Sequence, residues 1–285
     1  MSVRFPFDPA VPQVLVAFGL EPGALIGSGG EATVYALDGE RVLRVHRPGP
    51  DRVTLERRRN LLDELAPQAR ELPFAIPRVL ELRSVHERWV TIEPRLPGRP
   101  MSELLAEVDG SAREEVVLSY LQAGRSLSQL TLSRPFYGDL LADDTIREPT
   151  FRAYLERRAR RSLDAAGGPL GSVDAGELAH GLPEAERPAF VYLDVHPSNV
   201  LVQGVRVTAV VDFGGVAIVG DARLGAVVPA TYLLDRDQGV AQAWLRAQGL
   251  SEMYGPARRW IAAFWSFAKD DLELFEWCKN VLLGE

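Results

Sequence analysis

The 285-residue sequence is poor in cysteine, lysine and histidine and has no long apolar run, and each shortage removes a class of explanation. Cys278 is the single cysteine, which excludes an intramolecular disulfide and any cysteine-based zinc cluster. The four histidines, His46, His86, His180 and His196, are scattered without ligand spacing, and His196 is expected to pack beneath its own loop. No apolar stretch approaches the ~20 residues that a membrane span needs. The opening residues lack a charged segment followed by an apolar one, so a cytoplasmic chain without membrane attachment is expected. A formal net charge of -7 argues against a nucleic-acid partner and mildly favours cationic ones. Lysine occurs only as Lys269 and Lys279, so a cation needed earlier in the chain must come from another residue type.

Against these absences stands one dense segment. From Val191 to Val202 the chain holds Asp194 and, five residues on, Asn199; a second carboxylate, Asp212, follows with Phe213 and Gly214. Asp194 and Asn199 fit D-x-x-x-x-N, in which the Asp takes a proton from an acceptor hydroxyl and the Asn binds a metal, and Asp212-Phe213-Gly214 fits D-F-G, whose Asp holds Mg²⁺. Phosphoryl transfer asks a protein mainly to position the acceptor and neutralise phosphate oxygens. One carboxylate and one amide oxygen, with the triphosphate and waters, can serve an octahedral Mg²⁺. The apolar stretches 199–202 and 207–211 predict a two-strand hairpin around Gln203 and Gly204, with Asn199 at its entrance and Asp212 at its exit. Each residue taken alone is as much at home capping a turn.

The N-terminal region supplies a second set. Residues 25–37 read as strand, glycine-rich turn, strand, in the pattern G-x-G-x-x-A-x-V through Gly27, Ser28, Gly29 and Gly30. Glycines there let backbone N–H groups approach a phosphate with no Cβ between them. The next strand carries Arg44 where a kinase would have its lysine, and a guanidinium can grip two phosphate oxygens at once. A helix is predicted over 52–66, ended by Pro67. Glu56 on it is the expected partner of Arg44, with Asp63 and Glu64 as competitors; the alternative is that Glu56 is one more solvated charge.

Together these residues give the chain a resemblance to the aminoglycoside phosphotransferase family of small-molecule kinases. The family run H-G-D-x-H-x-x-N is matched by Tyr192 through Asn199, its metal strand by Asp212-Phe213-Gly214, and its G-D-P by Gly220-Asp221-Ala222. The resemblance implies an α+β, bilobal, protein-kinase-like fold: an N-terminal antiparallel β-sheet lobe binding nucleotide over residues 1–93, a hinge over 94–98, and a larger, mainly helical C-terminal lobe over 99–285 with the catalytic loop and acceptor site. It implies ATP or GTP and Mg²⁺ as cofactors, with Asp194 as base, Asn199 and Asp212 as metal ligands, and Pro94 accepting from and Leu96 donating to the nucleotide base. Pro94 has no N–H and can only accept. The implied partner is a small hydroxylated acceptor, an aminoglycoside-like or other cationic antibiotic among the options. Departures are Arg44 for Lys, Tyr192 and Leu193 for His-Gly, and Gly225 where the family commonly has Asp; the family His braces the loop, a task a hydrogen-bonding Tyr could take over. These departures motivate a second reading, a catalytically silent nucleotide-binding module. A kinase of a neutral metabolite is a third.

From Met101 the pattern is helical, with helices predicted near 102–106, over 111–132 with a capping box at Ser111 and Glu114, and over 150–166. The aromatic residues of the C-terminal part, among them Trp244, Trp260, Phe264, Trp265, Phe267 and Trp277, are expected to build core. A pocket for a cationic acceptor would need carboxylates, and Asp139, Asp143, Asp144, Glu148, Asp235 and Asp237 are the candidates, each of which can equally be an ordinary loop carboxylate.

Overall fold

In the computed structural model, which describes residues 8–142, 144–213 and 215–284, the chain divides into two compact units, one of residues 1–70 with 75–97 and one of 71–74 with 98–285. Asp143 and Gly214, both named above, lie outside the described residues.

The first unit comprises α1 (Ala10–Ala17), β1 (Leu25–Ser28), β2 (Ala32–Ala36), β3 (Arg41–His46), α2 (Arg52–Ala69), β4 (Glu81–Val85) and β5 (Arg88–Pro94). Its strands form one antiparallel sheet in the order β1-β2-β3-β5-β4. Side chains alternate across a strand, so Leu43 and Val45 of β3 join Tyr35, Val90 and Ile92 in a core covered by Val14 and Leu15 of α1. The opposite face of the same strands carries Arg44, His46, Thr91 and Glu93, all buried. In α2, Asp51 caps the first turn by accepting from the Thr54 N–H at 2.8 Å, and Leu55, Leu61, Leu62 and Leu65 are buried. The helix runs to Ala69 with Pro67 inside it, beyond the expected stop. A proline so near the C-terminus removes one backbone bond but leaves the last turn in place.

The second unit begins with β6 (Arg99–Pro100), α3 (Met101–Glu107), α4 (Gly110–Leu127), β7 (Tyr137–Asp139), β8 (Arg147–Glu148), α5 (Phe151–Ala166) and α6 (Ala175–His180). It continues with β9 (Ala189–Tyr192), β10 (Val200–Gln203), β11 (Arg206–Val210), β12 (Ala217–Gly220), α7 (Ala222–Thr231), α8 (Gln238–Ala247), α9 (Ser251–Trp265) and α10 (Leu272–Leu283). The predicted hairpin is β10–β11, turned by Gly204 at φ +60°, with β6 added to the free side of β10. A second sheet has the order β8-β7-β12-β9.

Two helix starts differ in kind. Thr150 caps α5 by accepting from Ala153 N–H at 3.2 Å. The expected capping box of α4 is not formed, because the chain enters through Gly110 at φ +58° after Asp109, which puts Ser111 inside the first turn. Close packing of α4 on α7 explains two glycines. A Cβ on Gly124 would fall inside the van der Waals envelope of Pro229, and one on Gly225 would lie 2.8 Å from Ser128 Cβ. The residue at 225, where the family commonly has Asp, is thus set by helix packing. Trp260, fully buried in α9, donates its indole N–H to the Leu155 carbonyl at 2.9 Å. No described helix is long and apolar enough to cross a membrane.

Candidate active site

Asp194 sits in the loop between β9 and β10, half-buried, and its surroundings hold the backbone rather than leaving it to solvent. The Asn199 Nδ2 group donates to the Asp194 carbonyl at 3.0 Å and to its carboxylate Oδ2 at 2.9 Å. Both partners are acceptors, so the amide must present its NH₂ to them, which leaves Oδ1 as an oxygen ligand facing elsewhere. On either side, the Leu193 carbonyl accepts from the Tyr232 hydroxyl at 2.5 Å and the Val195 carbonyl from the Tyr120 hydroxyl at 2.6 Å.

The hairpin brings Asp212 back to this loop. Val211 N–H donates to the Asn199 carbonyl at 2.8 Å, so Asp212 is one residue beyond a direct backbone bond to Asn199. Asp212 has φ +62°, a left-handed conformation that costs most side chains energy and is more open to Asp and Asn. Tyr192 restrains it: its hydroxyl lies 2.7 Å from the Asp212 carbonyl and 3.2 Å from that of Val211. Phe213 is fully buried and stacks on the Tyr192 ring at 4.7 Å and 7°. A carboxylate and an amide oxygen at neighbouring backbone positions make a donor set that suits a hard, oxygen-seeking cation which keeps several waters. Among the described residues no group of three or more His, Cys, Asp or Glu side chains is gathered as a metal cluster.

Beside Asp194 opens a cavity of about 540 Å³ whose wall includes Tyr232, Trp265, Asp271, Glu273 and Trp277. The Trp265 indole N–H donates to the Tyr232 hydroxyl at 2.7 Å. Leu234, 61% exposed, adds apolar surface to the same wall. His196 also lines this cavity instead of packing beneath its loop, with its ring edge-on to Tyr232 at 5.5 Å. Its loss of solvation there lowers its pKa, against the opposing pull of Asp271 and Glu273.

The acidic residues of the cavity are therefore not the expected ones. Asp139 is buried and accepts from Ile146 N–H and the Tyr154 hydroxyl, each at 2.9 Å. Asp144 pairs with Arg161 and Glu148 with Arg157. Asp237 forms a buried ion pair with Arg113 at 2.5 Å, and Asp235 opens the same short helical turn. Asp271 and Glu273 were missed, although their position within an Asp, Glu and Trp-bearing run, 270–277, was a usable signal. Trp265 and Trp277, assigned to core by type, are cavity walls, whereas Trp244, Trp260 and Phe264 are core.

In the first unit, Gly27 and Ser28 end β1, and Gly29 and Gly30 form the turn to β2. Arg47 holds that turn, its Nε donating to the Gly29 carbonyl at 3.0 Å and its backbone N–H to the Glu31 carbonyl at 2.9 Å. Arg44 projects from β3, only 8% exposed, with Glu31 at 3.7 Å. The expected pair between Arg44 and Glu56 is not formed. Glu56 reaches Arg52 at 2.7 Å, since residues four apart on a helix are neighbours. Pro94 ends β5 opposite Arg41, and the Leu96 N–H finds no acceptor among the described residues.

The chain as a whole is similar to known proteins. Residues 23–264 match the model of the phosphotransferase enzyme family, APH. No curated protein matches the chain in sequence. Among solved structures, the chain is similar to the GDP and kanamycin complex of APH(2")-IIia, with a TM-score of 0.60 at 12% identity over 96% of this chain and 97% of that one. The streptomycin-ATP-APH(2")-IIa ternary complex gives 0.59 at 13% identity over 99% and 97%. The aminoglycoside phosphotransferase APH(3'')-Id from Streptomyces rimosus gives 0.51 at 17% identity over 90% and 96%. At such identities the structural likeness establishes the kinase-like fold, and the family model establishes descent: the chain belongs to the phosphotransferase enzyme family, as an enzyme that transfers phosphoryl groups to hydroxyls.

Proposed function

We propose that this enzyme moves the terminal phosphoryl group of ATP or GTP to a hydroxyl of a small molecule seated in the cavity beside Asp194. The observation that carries the reading is the placement of Asp194 in the wall of that cavity, with one carboxylate oxygen engaged by Asn199. Held in this way, the carboxylate would orient the acceptor hydroxyl and take its proton. Asn199 Oδ1 and the Asp212 carboxylate would hold Mg²⁺, which, when bound, neutralises charge on the phosphate oxygens.

Residues 1–93 act as the nucleotide-binding lobe, 94–98 as a hinge and 99–285 as the catalytic lobe. Arg44 serves as the phosphate cation in place of the usual lysine. The glycine turn supports this assignment, because Gly29 and Gly30 have no neighbouring atom within 4 Å of an added Cβ and neither carries a positive φ. The fold therefore leaves the outer side of this turn open, so its backbone can approach a phosphate with no Cβ between them. Leu96 N–H is free to donate to a nucleotide base, and Pro94 accepts from it. Glu56 has no part in the site.

A cationic acceptor is favoured by Asp271 and Glu273 in the cavity wall, and the related structures solved with kanamycin and streptomycin make those two compounds the first to try. The indole and leucine surfaces favour an acceptor with apolar faces as well. Transfer of labelled phosphate from ATP and from GTP to kanamycin, streptomycin and a neutral polyol, by wild type and by Asp194→Ala, tests the proposal. Label transfer that survives Asp194→Ala, or none to any acceptor and none to water, overturns it.

A further inference from the structure

We propose that Tyr232 is a positioning residue that couples the acceptor cavity to the orientation of Asp194, an inference that rests on the function proposed above. Three consecutive peptide carbonyls around the base, those of Leu193, Asp194 and Val195, each accept a hydrogen bond from a different side chain: Tyr232, Asn199 and Tyr120. Peptide units are planar, so holding three successive carbonyls leaves the backbone on both sides of the Asp194 Cα almost no freedom to rotate. These donors fix the backbone from which the Asp194 side chain departs, and Asn199 also holds its carboxylate through Oδ2 at 2.9 Å.

The donors differ in what else they touch. Tyr120 comes from α4, is fully buried and is not part of the cavity wall. Asn199 belongs to the loop itself. Tyr232 alone among the three lines the acceptor cavity, and its hydroxyl accepts from the indole of Trp265, a second cavity residue. Trp265 N–H thus donates to the Tyr232 hydroxyl at 2.7 Å and that hydroxyl donates to the Leu193 carbonyl at 2.5 Å, two bonds of a chain running the same way, an arrangement in which one bond polarises the next. Burial raises the Tyr232 pKa well above its ordinary value, so the hydroxyl keeps its proton and the chain its direction at any working pH. A molecule resting on Trp265 and Tyr232 shifts the first two members of this chain, and the third is the peptide that carries Asp194.

The full-length enzyme would be assayed as wild type, Tyr232→Phe, Tyr120→Phe, Trp265→Phe and the Tyr232→Phe/Trp265→Phe double variant, with kanamycin as acceptor and with water as acceptor in ATP hydrolysis. Tyr232→Phe keeps the ring and deletes the hydroxyl. It is expected to lower kcat about tenfold, the equivalent of one hydrogen bond, and to change the KM for kanamycin while leaving the KM for ATP unchanged. Tyr120→Phe should lower kcat without moving the KM for kanamycin. Trp265→Phe should lower kcat in the wild-type background and add nothing in Tyr232→Phe, because the indole acts through the hydroxyl. Faster amide exchange over 193–196 in Tyr232→Phe, with an unchanged melting temperature, separates loosening of the loop from unfolding. Additive effects of the two variants, a parallel change in the KM for ATP, or a silent Tyr232→Phe in an enzyme whose turnover depends on Asp194 overturns the coupling. If wild type has no turnover that depends on Asp194, with kanamycin or with water, it is the proposed function that fails, and the coupling with it.

Discussion

The Tyr192 hydroxyl is hydrogen-bonded to the backbone carbonyl of Asp212 at 2.7 Å, and its ring is stacked on Phe213. One side chain therefore secures both a residue held at positive φ and the aromatic plug that follows it. Tyr192→Phe separates the two tasks. Stability should fall by about 0.5–1.5 kcal/mol, the value of one hydrogen bond, as read from the urea midpoint, and turnover should fall with it. Tyr192→Ala, which also loses the stack, should cost more. Equal losses for the two variants would place the whole contribution in the bond.

Asp194→Ala should reduce turnover by roughly 10²–10⁴-fold, the range for a positioned acid-base group. Calorimetric affinity for Mg-ATP should be nearly unchanged, since the carboxylate is asked to handle the acceptor. A matching loss of nucleotide affinity would move Asp194 to a different role.

The proposed metal ligands should rank by charge. Asp212→Asn removes the charged ligand but suits the left-handed backbone at this position, so the change is chemical more than conformational. It should weaken Mg-dependent nucleotide binding more than Asn199→Ala does. Titration giving the reverse order would reassign the ligands, and turnover in excess EDTA would remove the metal from the reaction.

Arg44 is almost buried on a β-strand, so its replacement is visible in binding rather than in surface charge. Arg44→Ala should impair triphosphate binding, whereas Arg44→Lys, a shorter point charge, should keep much of it. Fluorescent-nucleotide displacement measures both, and indifference to both would place the phosphate cation elsewhere.

Asp271 and Glu273 should decide how charge enters acceptor recognition. Asp271→Asn with Glu273→Gln should raise the KM for kanamycin and flatten its dependence on salt, with no effect on the KM for ATP. Asp144→Asn, whose parent residue pairs with Arg161, should leave both constants as they were. An acceptor KM that ignores the double change would favour a neutral substrate.

How much of this could be read from the chain depended on distance along it. The β10–β11 hairpin, with Asn199 and Asp212 flanking it, was legible because its strands, turn and flanking residues are all contiguous. The two-lobe kinase-like class was legible through motifs of the same local kind. The Arg44 and Glu56 pair failed because Arg52, four residues before Glu56 on α2, takes its carboxylate at 2.7 Å. The cavity was illegible for a different reason. Its wall is assembled from residues near 194, near 232 and from 265 to 277, and no spacing rule connects them. Aromatic type also carries no direction. Trp260 and Trp265 lie on the same helix α9, yet one is fully enclosed in the core and the other faces the cavity.

The contact between Gly124 and Pro229 makes two positions more than a hundred residues apart a single choice. A chain with any side chain at 124 has to give up the proline at 229 or open the α4–α7 interface. Since α7 ends immediately before Tyr232, a wider interface would carry the Tyr232 hydroxyl away from the Leu193 carbonyl. Among relatives, substitutions at these two positions should therefore appear together, and a protein that changes only one should show it first in its rate of turnover.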